Sequence, residues 1–166
     1  MVPMIHRIVT FWALLGGVLL LAIMAITSLN IGAYIADYIA EIWGGNVYGT
    51  TGYEDFVTLA IAGAGMMFLP YCQAMRGHVV VDVFSKMMGA TMRRLLDKLW
   101  LVLTYLLALF LAYWMAVGLL ELRNDNALTP ILGWPVWPSY IPGVLSLLLW
   151  AIVTAAQILE RSTDDA

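Results

Sequence analysis

The sequence predicts an all-α integral membrane protein with four transmembrane helices and one interfacial amphipathic helix. Of its 166 residues, 63% are hydrophobic and 11% are charged, whereas a soluble domain has about 45–50% apolar and about 25% charged residues. The mean hydropathy is +0.88. About 20 apolar residues cross a hydrocarbon core of about 30 Å, and four long runs of the chain contain no charged residue. These runs predict a single membrane domain over residues 1–166.

Four spans are predicted from the uncharged runs: residues 8–36, 54–76, 99–121 and 139–160. The first is too long for the apolar core of a signal peptide, which has about 7–15 residues, and we interpret it as an uncleaved span. Pro70 is expected to kink the second helix, since proline disrupts a helix interior. Pro130, Pro135 and Pro138 precede the fourth helix, which we therefore expect to begin near Ser139.

The chain after the first span allows two interpretations. Large apolar residues recur here at helical spacing, while Asp37 and Glu41 share another face. Either the first helix continues to Trp43 and must then tilt, bend or protrude, or a separate amphipathic turn lies on the outer membrane surface.

An interfacial helix is predicted over residues 79–90. Val80, Val83 and Phe84 would lie on one side of this helix, and Asp82 on the other. Arg93 and Arg94 follow and would attract anionic lipid headgroups. The alternative is an ordinary cytoplasmic loop.

The distribution of basic residues predicts the orientation. Seven of the eight lysines and arginines fall on one side of the predicted spans, and Arg123 falls on the other. The positive-inside rule therefore places both termini in the cytoplasm of a multi-pass inner-membrane protein.

Composition excludes several function classes. The net charge of −3 gives no basic footprint for nucleic acid. Cys72 is the single cysteine, and His6 and His78 lie near the predicted cytoplasmic surface. We therefore expect no catalytic residue, no metal site and no cofactor. No ionisable residue lies in the middle of a span, so the sequence carries no candidate proton relay or coupling-ion site.

Small and aromatic residues are the candidate contact sites. Small side chains let membrane helices approach closely, and the second span contains Ala60, Gly63, Ala64 and Gly65. Trp134 and Trp137 belong to an aromatic group at the predicted outer interface. This group is either an anchoring belt or a rigid surface for a protein partner.

Several motifs in order resemble the small membrane subunit of tripartite ATP-independent periplasmic (TRAP) transporters, the DctQ family. An acidic pair, Glu54 and Asp55, opens the second span, which is followed by the string Arg76-Gly77-His78-Val79-Val80-Val81-Asp82. The proline- and tryptophan-containing loop and Ile141-Pro142-Gly143 come later. We expect Arg76, Gly77, His78 and Asp82 to fix the corner between the second span and the interfacial helix, or to contact lipid or a partner.

The resemblance implies a function. It implies a non-catalytic subunit that anchors a large, multi-span, sodium-coupled elevator subunit and could also dock a periplasmic binding protein, for uptake of organic acids. Expected partners are these two proteins and membrane lipids. The alternative is a self-sufficient small homo-oligomeric carrier or channel, which would need a polar path through the membrane. Few polar residues in the spans could line such a path, among them Thr27, Ser28, Asn30 and Thr104.

Overall fold

The described part of the chain is helical. A computed structural model describes residues 3–42, 44, 51–75 and 90–164. It contains α1 (Pro3–Glu41), α2 (Tyr53–Met67), α3 (Leu69–Ala74), α4 (Ala90–Asn124), a short 3-10 helix (Trp137–Ser139) and α5 (Tyr140–Asp164). The one β-pairing among these residues is an isolated antiparallel bridge between Leu128 and Pro135.

Four helical segments in the described residues are long and apolar enough to cross a membrane. These are Met4–Glu41, Tyr53–Ala74, Leu95–Asn124 and Trp137–Glu160. The prediction of an all-α protein with four spans is therefore confirmed.

The first helix is continuous far beyond one bilayer thickness. α1 has 39 residues, which corresponds to about 58 Å at 1.5 Å per residue. The sequence allowed two interpretations of the chain after the first span. In the structure the first helix continues there and ends at Glu41.

The second span is interrupted rather than smoothly kinked. α2 ends at Met67, Phe68 forms a turn, and α3 begins at Leu69. Pro70 occupies the first turn of α3, where its missing N–H is tolerated, whereas in a continuous helix its ring would clash with the preceding turn.

α4 contains the predicted third span and extends beyond it at both ends. It begins at Ala90 and ends at Asn124, while the prediction was 99–121. Charged residues with good helix propensity, such as Lys98, let the helix continue past the uncharged run. The predicted interfacial helix over 79–90 lies outside the described residues except for Ala90.

The helices pack as a row with α2, α3 and α5 at its centre. α5 contacts α4 on one side and α2 and α3 on the other, and α1 packs against α2 and α3. The apolar window of α4 is accordingly only 11% buried, against 39% for the span that includes α5. α1 and α4 therefore form the two flanks of the described structure.

Small residues permit the close helix contacts of this row. A Cβ placed on Gly16 of α1 would lie 2.9 Å from Met67 Cβ and 3.3 Å from the Ala64 carbonyl oxygen. Gly63 of α2 lies against α5, where a Cβ would lie 3.5 Å from both Pro142 Cβ and the Ser139 carbonyl oxygen. Close backbone approach at these two crossings sets the order of the row.

The contact at Gly16 can be tested by a matched pair of substitutions. A Cβ placed on Gly17 would have no neighbouring atom within 4 Å, so Gly16→Ala and Gly17→Ala gain the same helix propensity. Only Gly16→Ala adds a methyl group to a filled crossing, and overpacking costs about 1–3 kcal/mol. We expect a lower thermal midpoint in detergent for Gly16→Ala than for Gly17→Ala. Equal midpoints would contradict the packing described here.

Candidate functional site

A buried carboxylate joins the beginning of α2 to the loop before α5. Asp55 Oδ2 accepts hydrogen bonds from the backbone N–H groups of Leu132 at 2.7 Å and Ile131 at 3.0 Å. Asp55 is only 5% exposed, and its place in the first turn of α2 lets the helix dipole favour its negative charge. Asp55 thus attaches the loop that precedes α5 to the beginning of α2.

The loop over residues 125–139, here named the proline loop, has its own internal hydrogen bonds. The backbone N–H of Thr129 donates to the Trp134 carbonyl at 2.8 Å, and that of Val136 donates to the Ala127 carbonyl at 3.0 Å. The Trp134 N–H donates to Thr129 Oγ1 at 3.0 Å. With three prolines restricting φ, the proline loop is a defined structure rather than a flexible connection.

Gly52 allows the proline loop to lie directly on the start of α2. It has φ +89°, a conformation that favours glycine. A Cβ at this position would lie 2.6 Å from Leu132 Cδ2. The Leu132 side chain therefore covers Gly52 one turn before the Asp55 carboxylate.

The two tryptophans of the proline loop have different surroundings. Trp137 lies under the Arg123 guanidinium, whose central carbon is 5.5 Å from the ring centroid, an arrangement that favours a cation–π interaction. Trp134 is 47% exposed. Trp134 also lines a cavity of about 400 Å³ between α1, α2 and the proline loop, together with Leu19, Phe56, Leu59, Ala60, Gly63, Pro135, Pro138, Ser139 and Pro142.

The structure distributes the predicted site residues unevenly. Of the acidic pair, Asp55 is buried in the contact just described and Glu54 is exposed. Gly63 and Ala64 lie in helix crossings and Ala60 lines the cavity, but Gly65 is exposed with no neighbour within 4 Å of its Cβ position. The remaining predicted sites, Arg76, Gly77, His78 and Asp82, lie outside the described residues, and Arg93 and Arg94 are described only as part of α4.

A buried polar cluster joins α3 to α5, and sequence reasoning missed it. The Gln73 amide nitrogen donates to Gln157 Oε1 at 2.7 Å, and the Gln157 amide donates to the Gln73 backbone carbonyl at 2.9 Å. The Trp150 indole N–H donates to Gln73 Oε1 at 3.2 Å. The search for ionisable groups could not find these amides, although glutamine within an apolar run is itself a signal for interhelical hydrogen bonding.

The end of α1 forms a second exposed surface, here named the α1 extension (residues 31–41). Asn30 is the last buried residue of α1, so the remaining helix of about 16 Å runs past the packed row. Its large apolar residues, exposed along one side, are Ile31, Tyr34, Ile35, Tyr38 and Ile39. Asp37 and Glu41, four residues apart, share a neighbouring face of the helix.

Several polar side chains inside the described spans form hydrogen bonds within the chain. Thr104 donates to the Trp100 carbonyl at 2.9 Å, and Trp12 donates to Ser146 Oγ at 2.9 Å. No group of three or more His, Cys, Asp or Glu that could hold a metal ion occurs in the described residues. The arrangement in these parts of the chain is therefore suited to packing and docking.

Comparison with known proteins identifies the family. A family model described as "Tripartite ATP-independent periplasmic transporters, DctQ component" matches residues 46–164. The chain belongs to the DctQ family. Searches of curated proteins and of solved structures return no match. This DctQ protein is the small membrane subunit of a TRAP transporter. The DctQ family is a family of transporter components and not an enzyme family. The match and the four spans make it a multi-pass membrane protein.

The contact between Asp55 and the proline loop can be tested by amide exchange. Asp55→Asn keeps the size of the side chain but removes the charge, and hydrogen bonds to charged groups are stronger than neutral ones by about 1–2 kcal/mol. We expect the Ile131 and Leu132 amides to exchange about 5- to 30-fold faster. Glu54→Gln is the matched control, because it removes one charge from the same helical turn without touching the loop. Similar exchange in both variants would show that the charge of Asp55 does not hold the loop.

The glutamine cluster can be tested by a double-mutant cycle. Gln73→Leu and Gln157→Leu each remove one side of the hydrogen bond between Gln73 Nε2 and Gln157 Oε1 and leave the other atom without that bond, whereas the double variant removes both side chains. We expect the double variant to lose less stability than the sum of the single variants, with a coupling of about 0.6–1.7 kcal/mol. Unfolding of the detergent-solubilised protein measures each value, and additive losses would contradict a coupled pair.

Proposed function

We propose that this DctQ protein is the non-catalytic scaffold of a sodium-coupled TRAP transporter that takes up organic acids. The large membrane subunit carries the sodium and substrate sites and moves substrate by an elevator motion. This chain anchors the part of the large subunit that does not move. The observation that carries this proposal is the uncharged interior of all four spans. Membership of the DctQ family supports it.

The uncharged interior argues that solute coupling belongs to another polypeptide. Ionisable residues at membrane depth mark ion and proton pathways, and substrate and ion sites of secondary transporters lie near the bilayer midplane. The four apolar runs of this chain, which include residues 99–120, contain no charged residue. The hydroxyl of Thr104, in the first half of the third span, donates a hydrogen bond to the Trp100 carbonyl of its own helix.

The proposed orientation places both termini in the cytoplasm and the proline loop in the periplasm of a bacterial inner membrane. Seven of the eight basic residues then lie on the cytoplasmic side. Arg93 and Arg94 would meet anionic headgroups there, next to the proposed interfacial helix over 79–90, and would hold the scaffold at a fixed height in the bilayer.

In this orientation the proline loop and the α1 extension face the side from which substrate arrives. The proline loop is held by the Asp55 carboxylate and by its own hydrogen bonds, so it loses little conformational freedom on binding. We assign it a further role in docking the periplasmic binding protein.

Reconstitution into proteoliposomes tests the division of labour. We expect no sodium-driven uptake of organic acid by this chain alone, because no coupling-ion site lies in its spans. We expect uptake when the large subunit and the binding protein are added, and loss of that uptake when this chain is omitted. The control is the same set of liposomes without a sodium gradient.

Two outcomes would overturn the proposal. Sodium-driven uptake by this chain alone would favour the self-sufficient homo-oligomeric carrier. Full uptake by the large subunit and binding protein without this chain would show that a scaffold is not required.

A further inference from the structure

An aromatic cluster lies on the side of α4 that faces away from the other described helices. Phe110, Tyr113 and Trp114 are 59%, 65% and 56% exposed. The Trp114 ring makes edge contacts with Phe110 at 6.3 Å and with Tyr113 at 5.8 Å between centroids. Ala108 and Ala112, which are buried, mark the side of α4 that packs on α5. At 100° per residue the cluster points in the opposite direction.

The cluster lies near the middle of the membrane. Asp97 and Lys98 precede the uncharged run of α4, and Glu121 follows it. The run covers residues 99–120 and spans about 33 Å, so its midpoint is next to Phe110. Tyr113 lies seven residues, or about 10 Å, from the end of the run at Leu120.

Exposure of this cluster to lipid is energetically unfavourable because the cluster contains two polar atoms. Neither the Tyr113 hydroxyl nor the Trp114 indole N–H has a hydrogen-bond partner in the part of the chain that the structure describes. Tyrosine and tryptophan prefer the headgroup level, where water and lipid supply such partners. Hydrocarbon supplies none, and an unmade hydrogen bond in an apolar medium is unfavourable.

We propose that this face of α4 docks a transmembrane helix of the large transporter subunit, and that this helix carries a hydrogen-bond acceptor at mid-membrane depth. The acceptor is a hydroxyl, a side-chain amide or a backbone carbonyl freed at a helix break. It accepts a hydrogen bond from the Tyr113 hydroxyl. This inference rests on the proposed function, because it takes the large subunit as the partner.

A second copy of this chain fits the face less well. Besides the cluster, the exposed residues of this face include Leu99, Leu103 and Leu106, and none of their side chains carries an acceptor. In a symmetric pair of α4 helices the same face would meet itself, so the Tyr113 oxygens would be the only side-chain acceptors for all the donors. A helix of a different protein can supply the hydrogen-bond acceptors that this face lacks.

The first experiment maps the neighbour of the cluster directly. The co-expressed complex carries a photo-crosslinking amino acid, p-benzoylphenylalanine, in place of Trp114. The control carries it in place of Leu14, an exposed α1 residue at 63%. We expect irradiation to join the chain to the large subunit from position 114 and to give much less of this product from position 14. A product with twice the mass of this chain, or lipid adducts alone, would overturn the inference.

The second experiment removes only the polar atom. We expect Tyr113→Phe to weaken association with the large subunit about threefold, the usual size of an interhelical hydrogen bond in a membrane. Tyr105→Phe is the matched control, because Tyr105 is on the same helix but half-buried. The thermal midpoint of each isolated variant shows that the chain is intact. Equal association of Tyr113→Phe and wild type would contradict the proposed hydrogen bond.

The outcome for the wild-type complex separates this inference from the proposed function. If the wild-type chain does not co-purify with the large subunit, the scaffold proposal itself fails. If it co-purifies but position 114 captures only lipid or a second copy, the scaffold proposal stands and the assignment of this face is wrong.

Discussion

The described structure depends most on one buried carboxylate. Asp55 brings together segments 76 and 77 residues apart by accepting the backbone N–H groups of Ile131 and Leu132. Without it, the proline loop would have to satisfy these two amides elsewhere, and the start of α5 would lose a fixed attachment to α2. A buried charge is tolerated here because it lies at a helix N-terminus and its hydrogen bonds are made. The same contact fixes both a helix-packing arrangement and an exposed surface.

The two ends of the packed row are held by different chemistry. Near the proline loop, the Asp55 carboxylate and the Gly52–Leu132 contact join α2 to the segment before α5. At the α3 end, the Gln73 and Gln157 amides join α3 to α5. Between them, small residues such as Gly63 allow close packing without polar groups. Polar bonds at both ends and small residues between them suit a part that stays rigid while another subunit moves.

The flanking helices leave large apolar surfaces, and their chemistry differs. α1 carries an apolar stripe that continues past the packed row, with Asp37 and Glu41 on a neighbouring face. α4 carries the aromatic cluster around Trp114 near mid-depth. Lipid can cover aliphatic side chains at no cost, but it cannot satisfy the polar atoms of Tyr113 and Trp114. The distinction between a lipid-facing and a partner-facing surface therefore rests on a few donors rather than on hydrophobicity.

The sequence by itself determined the membrane class, the four spans and the DctQ family, because long uncharged runs and ordered motifs are local properties of the chain. It also predicted a kink at Pro70, since proline acts on its own helical turn, and the structure has a break at Phe68 just before it. Only the tertiary structure decided which member of the acidic pair is buried, that Gly16 and not Gly17 lies in a crossing, and that Gln73 meets Gln157. These outcomes depend on the rotation and register of helices that are distant in sequence, and periodicity within one helix does not specify them. The continuation of α1 to Glu41 was equally undecided, because its amphipathic pattern suits both a protruding helix and one lying on a surface.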